Sequence, residues 1–140
     1  MRRVRVRLAG VLVAAVLLAS CSAARTGLGT TDESCYLTLP TAAKAVGGHG
    51  HLAGVRRFTP GGLRAVAPRL YDKVIDKMPK GRDVCLAAYT GHFTAAGVAD
   101  PLGHRSGTVA VAVVTTPGNE LLGTLVVSHV PVRFQHTFGL

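Results

Sequence analysis

Along the chain the apolar positions fall into four successive patterns. Leu8 to Ala19 is a run of twelve uncharged residues, mostly Leu, Val and Ala, preceded by a start that holds four arginines and no acid. A helix of that length rises only ~18 Å against a hydrocarbon core of ~30 Å, so the pattern predicts an export signal rather than a stable membrane span. The arginines would stay on the cytoplasmic side and orient the segment. Ser22 to Ser34 is small and polar without apolar period, the texture of a linker. Residues 36–80 carry helical spacing broken by glycine. Thr41 to Val46 reads as a short helix, Gly47-Gly48-His49-Gly50-His51 as a loop, and Thr59-Pro60-Gly61-Gly62 as a turn or helix start. Pro68 suits the first turn of a helix reaching about Met78, in which Leu70, Val74, Ile75 and Met78 form one core-facing stripe. Asp72 with Asp76 and Lys73 with Lys77 fall off that stripe, and Pro79 and Gly81 end it.

From Asp83 onward the period becomes that of strands. Val84–Tyr89, Gly107–Thr115 and Leu121–Val130 are three β runs, with Val132–Phe138 a possible fourth. Thr116-Pro117-Gly118-Asn119-Glu120 is a hairpin signal, and Pro131, which cannot donate to a ladder, belongs at an edge or bend. A helical turn is expected around Ala95–Ala99, ended by Asp100-Pro101. In the second run Val109, Val111 and Val113 share one face while Ala110, Ala112 and Val114 share the other. Neither face is polar, so this strand is expected to be central. The expected fold class is α+β: a small antiparallel sheet of three or four strands with helices from the N-terminal half packed on one face.

Leu18-Ala19-Ser20-Cys21 follows the apolar run directly. This tetrapeptide resembles the lipobox of bacterial lipoprotein precursors, position by position. The resemblance implies diacylglyceryl transfer to the Cys21 thiol and cleavage between Ser20 and Cys21, with the mature protein lipid-anchored at the extracytoplasmic face of the cell membrane. It divides the chain into a signal peptide (1–20), a flexible tether (21–34) and one small domain (35–140). It also accounts for an odd cysteine count. With Cys21 carrying lipid, Cys35 and Cys85 remain as a pair, and outside the cytoplasm a disulfide between them is expected. Such a bridge closes a loop of about fifty residues, worth ~4 kcal/mol in the chain-entropy model. The composition, heavy in Ala, Val, Gly and Arg with few Lys, resembles that of small actinomycete lipoproteins.

Charge changes the picture next. The chain has 16 Lys and Arg against 7 Asp and Glu, a formal +9, and loss of Arg2, Arg3, Arg5 and Arg7 with the signal peptide leaves +5. Nine cations lie between Lys44 and Arg82, among them Arg56, Arg57, Arg64, Arg69, Lys73 and Lys77, with only Asp72 and Asp76 opposing them. Such a half could bind anionic lipid head groups, an acidic envelope polymer or a protein partner. It could equally be a solvated surface that maintains solubility. Nucleic acid is excluded as a partner, because export removes the chain from it.

Candidate chemistry is sparse. His49 and His51 form an H-x-H that could offer two imidazoles to a metal ion, while His92, His104, His129 and His136 are scattered. A specific site needs three or four converging ligands, and no HExxH or paired-Cys motif accompanies the pair. No GxSxG elbow, phosphate-cradling glycine loop or paired carboxylates occur, so no catalytic residue and no cofactor is implied. Seven aromatic side chains and no Trp leave little for a carbohydrate platform. The sequence thus points to a non-catalytic, membrane-anchored binding or accessory role through the basic half, with metal binding at His49 and His51 as the alternative.

Overall fold

The structure, a computed structural model, describes residues 33–129. The expected signal peptide (1–20), Cys21, most of the expected tether and the expected strand Val132–Phe138 lie outside the described residues. The elements run α1 (Glu33–Tyr36), α2 (Leu39–Ala45), β1 (His51–Phe58), α3 (Pro60–Val66), α4 (Pro68–Val74) continuing as a 3-10 turn Ile75–Lys77, then β2 (Asp83–Thr94). A 3-10 turn Ala95–Gly97, β3 (Pro101–Gly103), β4 (Ser106–Thr116) and β5 (Leu121–Val127) complete the described chain. The fold is α+β, with strand order β1-β2-β4-β5-β3. All neighbours are antiparallel except β3, which runs parallel to β5.

Three features differ from the sequence expectation. The sheet has five strands rather than three or four, it is mixed, and helices cover both of its faces. The third difference follows from β4 itself. Val109, Val111 and Val113 pack with Val84, Leu86 and Ala88 beneath Leu63, Leu70, Val74 and Met78 of the α3–α4 layer. On the opposite face Ala110, Ala112 and Val114 pack with Ala87 and Tyr89 beneath Ala42, Ala45 and Val46 of α2. Two apolar faces each need a cover, since exposed apolar area costs about 25 cal/mol per Å². The second face is rich in Ala on both sheet and helix, so a short helix can close against it.

β1 falls where the sequence suggested loop and helix. It pairs with β2 from His51 opposite Thr90 to Phe58 opposite Val84, with a register shift between Leu52 and Gly54. Within the α3–α4 layer, Thr59 caps α3 by accepting the Gly62 N–H at 3.1 Å, and Pro60 takes a first-turn position. α4 starts at Pro68 as expected, but its last turn tightens to a 3-10 turn, leaving Ile75 only partly buried. At the β4–β5 hairpin Thr116–Pro117 is cis and Asn119 has φ of 56°. The Arg82 guanidinium fastens this turn by donating to the Pro117 carbonyl at 2.8 Å.

Cys35 and Cys85 are disulfide-bonded, with Cα atoms 5.5 Å apart, and both are fully buried. Cys85 lies on the same sheet face as Ala87 and Tyr89, so the bridge ties α1 to the α2 side of the sheet.

Candidate functional site

The basic residues singled out from the sequence separate according to the side of the sheet they occupy. Arg64 on α3, Arg69 and Lys73 on α4 and Lys77 in the following turn are all exposed on the outer surface of one helical layer. Burial of Leu63, Leu70, Val74 and Met78 against the sheet turns these four cations to solvent. Arg64 stacks its guanidinium over the Tyr71 ring at 5.9 Å from the centroid, a contact that spans α3 and α4 and restrains the cation. Arg69, Lys73 and Lys77 form no ion pair with another described residue. Asp72 and Asp76 are exposed on the same layer, so its outer surface carries four cations against two carboxylates.

Arg56 and Arg57 diverge. Adjacent strand residues point to opposite faces. Arg56 stands opposite Leu86, placing it on the α3–α4 side, whereas Arg57 stands opposite Cys85 on the α1–α2 side. There Arg57 is engaged: its Nη2 and Nε reach Asp83 Oδ2 at 2.7 and 2.8 Å, and Nη1 lies 3.5 Å from the Ser34 hydroxyl. It is a brace between β1, β2 and α1 rather than part of the outward basic layer. Lys44 is exposed at the end of α2, on that same side. The basic half is therefore not one face.

The histidine loop is ordered by its glycines. Gly47, Gly48 and Gly50 have φ of 78°, 74° and 92°, a left-handed conformation open to glycine, and the chain doubles back before β1. His49 Nδ1 lies 3.0 Å from the Gly47 carbonyl, and its ring stacks on Phe93 with centroids 5.8 Å apart. A carbonyl can only accept, so Nδ1 is the protonated nitrogen in this contact. His51 is exposed at the start of β1. Among the described residues no group of three His, Cys, Asp or Glu side chains converges, so nothing there joins His49 and His51 as a third ligand. His92, His104 and His129 are exposed and lie in β2, after β3 and after β5.

Sequence patterning did not single out Tyr36 and Leu37, which are 54% and 73% exposed in α1 and the turn after it. Tyr71, which no sequence motif marks, holds Arg64. No family model, no curated protein and no solved structure matches this chain. No described helix is long and apolar enough to cross a membrane.

Proposed function

We propose that the chain is an envelope lipoprotein, held at the extracytoplasmic face of the membrane through lipid on Cys21, whose domain binds an anionic partner through the α3–α4 layer without catalysing a reaction. The observation that supports this reading is the exposure of Arg64, Arg69, Lys73 and Lys77 together on one helical layer. The lipobox Leu18-Ala19-Ser20-Cys21 supports the anchor and the address. Each cation close to an anionic surface adds ~1 kcal/mol. Asp72 and Asp76 offset part of that, so binding through this layer is of moderate strength and sensitive to salt.

The test is a salt series of binding to soluble polyphosphate by the lipid-free chain starting at Ser22. A triple variant Arg69→Gln, Lys73→Gln, Lys77→Gln should lose ~3 kcal/mol, roughly a hundredfold in affinity. Lys44→Gln, on the other side of the sheet, should change it little. Equal losses from both variants would show non-specific charge attraction and remove the α3–α4 layer from the account.

A further inference from the structure

The two sides of the sheet expose different chemistry. Among the described residues the exposed large hydrophobic side chains are Tyr36, Leu37 and Leu52, and all three belong to the α1–α2 side. Tyr36 and Leu37 are fixed there by the neighbouring Cys35–Cys85 bridge, and Leu52 stands opposite Tyr89, which faces α2. The exposed cations Arg64, Arg69, Lys73 and Lys77 occupy the other side. Among the described residues the exposed apolar side chains and the α3–α4 cations thus lie on opposite sides of the sheet. The apolar corner is also the one nearest the lipidation site in sequence. Eleven residues lie between Cys21 and Glu33, a stretch that measures at most ~40 Å even when fully extended.

We infer that Tyr36 and Leu37 are a membrane contact: they enter the interfacial zone of the bilayer that holds the Cys21 lipid, and the basic layer faces away from it. This rests on the lipid anchor proposed above. Tyrosine suits the head-group level, where its ring meets apolar matter and its hydroxyl meets water. Two side chains would not hold a free protein on a membrane. A domain already anchored meets the bilayer at an effective concentration in the millimolar range, where a weak contact suffices. The corner carries little net charge, because Glu33 of α1 opposes Lys44 of α2 and the exposed Arg57 beside α1 is paired with Asp83.

The orientation decides what the basic layer can reach. With the α1 corner down, the cations stand above the sheet, roughly 20 Å from the α1–α2 layer at about 10 Å per packed layer. Charges are screened over about 8 Å at physiological ionic strength. The cations therefore do not feel the head groups of the anchoring bilayer. Their partner is an anionic polymer presented from the far side.

The chain has no Trp, so a single introduced indole reports one position. Full-length lipidated protein carrying Leu37→Trp, Tyr36→Trp or Lys73→Trp would be reconstituted into phosphatidylcholine vesicles containing brominated acyl chains. Emission from Leu37→Trp and Tyr36→Trp should shift to the blue and be quenched by bromine, while Lys73→Trp should stay unquenched at the wavelength of water-exposed indole. Quenching of Lys73→Trp would put the basic layer on the bilayer and overturn the orientation, as would absence of quenching at both 36 and 37. Flotation of the same vesicles separates the two layers of the proposal: protein that fails to float has no anchor, and the orientation falls with it.

Discussion

Removing the Cys35–Cys85 bridge probes how far a domain of this size leans on one cross-link. The bridge closes a loop with a sequence separation of 50. In the chain-entropy model such a loop destabilises the unfolded state by about 4 kcal/mol at 25 °C. A domain of about one hundred residues has roughly 5–15 kcal/mol in total, so the bridge supplies from a quarter to most of it. Reduction leaves both sulfurs in their packed places, whereas Cys35→Ala with Cys85→Ala also removes buried atoms, at about 1 kcal/mol per sulfur. The assay is urea unfolding of the lipid-free chain, oxidised and reduced, followed by far-UV circular dichroism. With a slope near ~1.5 kcal/mol/M, the midpoint should fall by about 2–3 M on reduction, and the double-alanine variant should fall further. Both cysteines are fully buried, so reduction without urea should be limited by opening of the fold and should accelerate steeply as urea is added. A midpoint change below ~0.5 M would refute the reasoning, showing that the unfolded chain is already restricted without the bridge.

Three other perturbations test separate parts of the structure. Burial raises the Tyr89 phenol above its ordinary value near 10.0, because desolvation penalises the charged form. Below that value the neutral ring contributes fully. As pH rises past it the unfolded chain ionises first and stability falls until the folded chain ionises too, so Tyr89→Phe should flatten the alkaline decline of urea midpoints above about pH 10; parallel declines would contradict the burial. Arg57 and Asp83 are partly exposed, at 40% and 21%. A double-mutant cycle with Arg57→Gln and Asp83→Asn should give a coupling of only ~0.5–1 kcal/mol, reduced by molar salt, and a salt-independent coupling would be wrong for this account. The Thr124 hydroxyl is buried without a hydrogen-bond partner among the described residues, so Thr124→Val should raise stability by about 1 kcal/mol; a loss would show that the hydroxyl is satisfied, for instance by buried water.

The central strand was legible because its composition settles it: β4 is apolar on both faces, and a strand of that kind is covered twice. The second cover was misjudged, since α2 shows only a short Ala-rich pattern that is no stronger than that of a surface turn. β1 was missed for a different reason. Gly54 and the Arg56-Arg57 pair erase apolar alternation, and the register shift between Leu52 and Gly54 moves what remains onto the wrong parity. That single miss also hid the division of the basic residues. Read as loop or helix, Arg56 and Arg57 join one basic half; on a strand they go to opposite faces, and one of them braces Asp83. β3 is three residues long and is set by its parallel pairing with β5, a long-range contact that no local pattern encodes. The α4 stripe was legible, because Leu70, Val74 and Met78 keep helical spacing and are buried.

The most direct measurement is the intact mass of the protein extracted from membranes with detergent, taken with and without reduction. The expected species is a chain that begins at Cys21, is heavier by a diacylglyceryl group and any further acylation, and gains two hydrogens on reduction. A mass without added lipid, or one that still includes residues 1–20, would contradict it.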